Sequence, residues 1–143
     1  GRSAISALVL DPAREGKPIR WPGSLDVPHT LHYLPDAARG LAVLALDERA
    51  DGKVWHVPAL PAPTGRAFAA AVNAALPAPV KVKRLSPATL RVGALFSKDA
   101  REMLELSYQW TGPFVADGSR FEATFGPLEL TPLDEAVRAT ISG

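Results

Sequence analysis

Fourteen prolines cut this chain into short pieces, because each removes a backbone donor and fixes φ. Most stand at segment edges rather than inside periodic runs, so the chain must be assembled from short elements joined by turns. The piece around which the others are arranged is residues 28–46, PHTLHYLPDAARGLAVLAL. Over 29–34, His29, Leu31 and Tyr33 alternate with Thr30, His32 and Leu34, which predicts a strand. Pro35 suits the first turn of a helix, where its missing N–H is harmless, and Asp36 sets a carboxylate at the positive helix end. From Ala37 to Leu46 only Arg39 is charged. The pattern predicts a helix over 35–46 that is covered on most of its surface.

The flanking pieces alternate between the two periods. Residues 3–15 read as a helix stopped by Gly16. Residues 18–21, PIRW, read as a strand closed by a Pro22-Gly23 turn. KVWHV, 53–57, is a predicted strand with Trp55 on one face and Val54 and His56 on the other. Thr64 is an N-cap for a helix over 65–76 with Phe68, Val72 and Ala75 on one stripe. Residues 80–85 alternate as a partly exposed strand whose lysines discourage edge pairing. Ser86 and Pro87 open a helix to about 96. Ser97 opens another to about 108, with Met103, Leu104 and Leu106 on its apolar side. After a turn at 111–113 and an extended piece at 114–115, Asp117 caps a short helix carrying Phe121 and Phe125, ended by Gly126. Thr131-Pro132 starts a last helix with Asp134 at a capping-box position and Leu133, Val137 and Ile141 as its apolar face. Strands that alternate with helices predict an α/β chain, and no repeat at solenoid spacing occurs.

Composition narrows the classes. A hydrophobic content of 47% marks a globular chain. The net charge of +1 is spread along the sequence, and no Lys or Arg run suggests a nucleic-acid footprint. Without cysteine, disulfide frameworks and thiolate metal sites are excluded, and a reducing compartment fits. No apolar run reaches transmembrane length. The opening GRSAISALVL has no signal-peptide pattern. A cytoplasmic location is therefore expected, with a first residue that already reads as mid-domain.

No motif for a reaction is complete. Phosphate-cradling glycine loops, H-E-x-x-H and G-x-S-x-G are missing. Four residues after Tyr33 and Tyr108 stand Ala37 and Gly112, not Lys. His29 and His32 fall on opposite strand faces and His56 on another segment, so no metal set forms. His29, at a loop–strand junction, is a candidate ligand contact or an ordinary polar edge residue. Trp21 and Trp110 are candidates to wall an apolar pocket or to pack. Arg20 is a candidate anion or stacking partner, or a solvated edge residue.

The order PIRWPG, PHTLHYLPDAARGLAVLAL, GKVWHVPA and PTGRAF resembles the C-terminal half of NAD-dependent epimerase/dehydratase proteins, the extended short-chain dehydrogenases/reductases. YQWTGPFVADGSRFEATFG followed by TPLDEAVRAT is similar to that family's ending. The resemblance covers nearly all of the chain. It implies that residues 1–143 are a single substrate-binding lobe, an α/β fragment of a larger two-lobe protein. In the family the N-terminal Rossmann half carries the glycine loop and the Tyr-x-x-x-Lys, and binds NAD or NADP. This chain alone is then expected to bind no cofactor and to be inactive, while its parent acts as an oxidoreductase, epimerase or dehydratase.

The resemblance places the 18–21 strand, with Arg20 and Trp21, beside the substrate. It puts His29 where sugar-nucleotide members often carry Arg. It makes the Trp110 turn another substrate-side segment without its usual basic residue. These departures imply a smaller or less charged substrate. The expected partners are a small-molecule substrate, and either the Rossmann half or a second copy seated on bare apolar faces of 37–46 and 53–57. Neither nucleic acid nor membrane is expected. The alternatives are a non-catalytic nucleotide-sensing or regulatory binding protein on the same scaffold, or a freestanding α/β interaction module.

Overall fold

The computed structural model describes residues 3–85 and 87–143, with the side chains of residues 87, 99, 102 and 103 outside the description. The Ser86 cap and the Met103 side chain of the expected helices therefore lie outside the described residues. The chain is mixed α/β with a two-stranded parallel sheet.

A π turn, Ser6–Leu10, runs into helix α1, Asp11–Arg14. Gly16 ends it at φ +68°, a left-handed conformation that glycine adopts without a Cβ penalty. Strand β1, Ile19–Pro22, follows and buries Ile19 and Trp21. Its parallel partner is β2, Val82–Leu85, in the register Ile19–Val82 to Pro22–Leu85. Between the two strands lie helix α2, Leu34–Leu46, and helix α3, Gly65–Ala75. Thr64 caps α3 as expected, its Oγ1 accepting from the Ala67 N–H at 3.1 Å. The stripe that buries Phe68, Ala69 and Val72 follows from the helical period.

Helices α4, Pro87–Gly93, and α5, Lys98–Glu105, form a hairpin, each ending short of the expected bound. Residues 107–110 tighten into a 3₁₀ turn, Ser107–Trp110. Helix α6, Ser119–Phe125, follows Asp117, whose Oδ1 accepts from the Ser119 N–H at 2.9 Å, and stops at Gly126 with φ +92°. Helix α7, Leu133–Ser142, closes the chain and packs on α3.

The main core joins Val9, Leu10 and Ala13 to Ile19, Trp21, Phe68, Val72 and Val137. A smaller aromatic cluster stands apart. Trp55 meets Phe125 at 4.9 Å, Phe121 meets Phe125 at 5.0 Å, and the Arg120 guanidinium lies over the Trp55 ring at 4.5 Å.

Four expectations are corrected. Residues 30–33 form no strand, and 28–29 make only isolated bridges, Pro28 with Thr64 and His29 with Phe114. The neighbouring segment contains Pro58, Pro61 and Pro63, which have no N–H, so a ladder beside 29–34 cannot propagate. Residues 53–57 also run without strand pairing. Side chains take two of their carbonyls: His32 Nε2 bonds Val57 O at 3.0 Å and Arg120 bonds Val54 O at 3.4 Å. The α2 helix forms but is not covered. It buries only Asp36 and Gly40, while Leu34, Leu41 and Leu46 are 79%, 59% and 88% exposed. Finally, α7 has no side-chain cap. Thr131 turns instead to Asp36, and Asp134 pairs with Arg138 at 3.3 Å.

Candidate functional site

Three of the four residues singled out in the sequence come together. The His29 ring stacks on Trp110 with centroids 4.8 Å apart and planes 15° apart. Trp21 stands edge-on to both, at 6.4 Å from His29 and 5.7 Å from Trp110. Trp21 and His29 are buried and Trp110 is half-buried. Their polar atoms are occupied. Trp21 Nε1 donates to Ser24 O at 2.9 Å, and the His29 nitrogens face Gln109 O at 2.9 Å and Val27 O at 3.3 Å. The triad is an aromatic peg that ties 21–29 to 109–110. Arg20, pointing away from the core on β1, is exposed.

Two glycines let this peg close. At Gly65 a Cβ would occupy the space of the Trp21 indole, and at Gly23 it would meet the Trp110 carbonyl. Neither position leaves room for another side chain.

The adjacent backbone opens onto a cleft of about 790 Å³. None of Arg20, Trp21, His29 and Trp110 lines it. One wall is the stretch that follows His29. Its start is stitched down on both sides: His29 N donates to Pro63 O at 3.0 Å, Thr30 N donates to Phe114 O at 2.7 Å, and Thr30 Oγ1 accepts from Ala116 N at 2.9 Å. The prolines of 58–63 form a second wall. They are stiff and bring few donors, which makes a dry, shaped surface. The third wall is α7, through Leu133, Val137 and Thr140, with Ile5 and Leu10 from the first helical segment. Arg14 holds that segment against α7 by donating to the carbonyls of Thr140 and Ile141.

Asp36 is the charged group at the cleft, and it is consumed. It is 4% exposed, accepts from Thr131 N at 2.8 Å and Thr131 Oγ1 at 2.8 Å, and pairs with Arg39 at 2.7 Å. Burial opposes its ionisation, but the Thr131 hydrogen bonds and the Arg39 guanidinium outweigh burial and hold the carboxyl below its ordinary value. Arg39 also reaches Glu129 O at 2.8 Å. Asp36 is therefore an anchor that fastens α2 to residues 129–131, not a proton carrier for a ligand. Sequence reading placed Asp36 at the helix start and Thr131 at a cap. Nothing local pairs two residues 95 positions apart.

Away from the cleft, Arg49 holds the half-buried Asp47 carboxyl down to about 2 through charge-assisted hydrogen bonds. Among the described residues, no group of three or more His, Asp or Glu could hold a metal ion. Among the same residues, no helix is long and apolar enough to cross a membrane. Compared with protein-family models and with curated proteins, the sequence matches none.

Proposed function

We propose that this chain is the substrate-binding portion of an NAD(P)-dependent epimerase/dehydratase- or reductase-like protein. The observation that supports this reading is the apolar cleft. It is walled by residues 30–34, 58–63 and 130–140, and of these 30–34, 58, 59, 63 and 131–140 belong to the stretches whose order carries the resemblance. A cleft of this volume with few polar groups suits a small molecule. The Trp21–His29–Trp110 peg then serves the site at one remove, by fixing the backbone from which the 30–34 wall begins.

The residues present do not fit a dinucleotide. Among the described residues, no Lys or Arg lines the cleft to meet a pyrophosphate. The N-termini of α2 and α7, two helix starts at the cleft, already carry acidic groups, Asp36 and Asp134 with Glu135, which disfavour an anion there. Hydride chemistry in the parent protein therefore belongs to elements outside these residues, and no step of it is derived from this chain.

Calorimetric titration with NAD⁺ and NADP⁺ tests the assignment. This chain is expected to show no tight binding. Sub-micromolar affinity would overturn it. The upstream reading frame supplies the complementary check, where a glycine loop with Tyr-x-x-x-Lys supports an enzyme and a glycine loop without that pair supports a nucleotide sensor.

One observation favours a second reading, an interaction module. Leu34, Leu41 and Leu46 stand exposed on α2, with Val54 exposed on the neighbouring segment. Apolar exposure of that kind favours association. Light scattering at high micromolar concentration separates the readings, since a monodisperse monomer removes the ground for self-association.

A further inference from the structure

Resting on the reading of the cleft as a substrate site, we infer that its ligand is an uncharged, mostly hydrocarbon molecule carrying a hydrogen-bonding head, such as a ketone, alcohol or ester. Three observations carry this.

The first is charge. Among the described residues, the cleft wall contains no Lys or Arg, and Asp36, its carboxylate, is satisfied by Thr131 and Arg39. A phosphorylated or carboxylated ligand would enter without a counter-charge, and burying an unpaired anion is strongly unfavourable. A cationic ligand would have to compete with Arg39 for an anchor that holds α2 in place.

The second is the state of the hydroxyls. Ser3 and Ser6 bond each other at 3.0 Å, Thr140 donates to Ala136 O at 2.7 Å, Thr131 donates to Asp36, and Thr30 accepts from Ala116. The Thr131 and Thr140 hydroxyl protons are thereby spent on the protein, while Thr30 only accepts and keeps its proton. The Tyr33 hydroxyl, on the same wall, makes no hydrogen bond among the described residues. A phenol donates as well as accepts, so it can meet either a carbonyl or an alcohol. Tyr33 is half-buried. The adjacent His32 has its Nε2 on Val57 O, which spends one nitrogen of the ring on the wall itself.

The third is shape. The proline-rich wall and the Leu31, Leu60, Leu130 and Leu133 side chains face the space with carbon. About 790 Å³ exceeds what a short polar metabolite fills and suits an extended aliphatic or polycyclic body.

The test uses this chain and three probes: the neutral fluorophore N-phenyl-1-naphthylamine, 2-undecanone as a competitor, and UDP as an anion. The dye is expected to bind and brighten, and the ketone to displace it. Leu60→Trp and, independently, Leu130→Trp should fill the cleft and weaken dye binding at least about tenfold, while circular dichroism melts report whether each variant is folded. Leu41→Ser, on the exposed face of α2, should leave dye binding unchanged. Tyr33→Phe should spare the dye, which needs no hydrogen bond, and weaken the ketone by about two- to tenfold, the worth of one neutral hydrogen bond.

Dye binding that survives both folded tryptophan variants, or that falls with Leu41→Ser, would overturn the inference, since the dye would then sit on the outer face. UDP binding that is lost in the tryptophan variants would overturn the ligand class while leaving the substrate-lobe reading intact. That reading fails by a different route, through tight NAD⁺ or NADP⁺ binding to this chain.

Discussion

Helices α2 and α3 are similar in composition and opposite in fate. Both are rich in alanine and carry few charges. Helix α3 buries Phe68, Ala69 and Val72 in the main core and starts from a Thr64 cap. Helix α2 buries an aspartate and a glycine and turns Leu34, Leu41 and Leu46 outward. One is held by a hydrophobic stripe, the other by a carboxylate and a close approach. Apolar residues thus predict what a helix could bury, and only the neighbouring elements decide whether it does.

The sharpest break between the two comes from truncating one large side chain on each. Phe68→Ala should cost about 3–5 kcal/mol of unfolding free energy in urea denaturation, because it removes a buried ring and leaves a cavity. Leu41→Ala should change stability by less than about 0.5 kcal/mol, as exposed substitutions do. Equal losses would mean that the exposed face of α2 is covered in solution.

Next in size is the polar anchor. Asp36→Ala should cost about 2–3 kcal/mol, because the Thr131 N–H and hydroxyl and Arg39 lose a charged acceptor. The effect has a direction in pH. The Asp36 carboxyl is held below its ordinary value of 3.8, so its contribution is complete above that pH and is lost as pH falls through the lower folded value. Asp36→Asn should flatten the loss of stability in that acid window. A wild-type and a variant curve of the same slope below pH 4 would count against the anchor.

A smaller loss than that of the anchor concerns the glycine. At Gly40 an added Cβ would collide with a Val57 methyl. Alanine gains about 1 kcal/mol in a helix interior, while overpacking costs about 1–3 kcal/mol. Gly40→Ala should therefore destabilise by about 1 kcal/mol. A stabilised variant would show that α2 docks loosely on Val57.

Local signals were legible in the sequence where they were self-sufficient. Thr64 needs only its own helix, Gly16 and Gly126 need only their own turns, and the stripes of α3 and α7 are set by spacing. The strand expected at 29–34 shows the limit. Alternation describes any extended chain, and whether a ladder forms depends on a partner with free donors, which the 58–63 prolines are not. The site divides in the same way. The sequence pointed to Trp21, His29 and Trp110, and the fold does gather them, but as a packed peg. The cleft beside them is made by segments too far apart in the chain for spacing to reveal, as the Asp36–Thr131 bond shows.

The parallel pairing of β1 with β2 has a kinetic consequence. Residues 23–81 intervene between the two strands, and both α2 and α3 lie within that span. Closing so long a loop costs entropy before any ladder bond repays it. The α4–α5 hairpin, by contrast, needs only contacts between sequence neighbours. The α4–α5 contacts are therefore expected to form before Ile19 meets Val82, an order that hydrogen-exchange labelling during refolding checks.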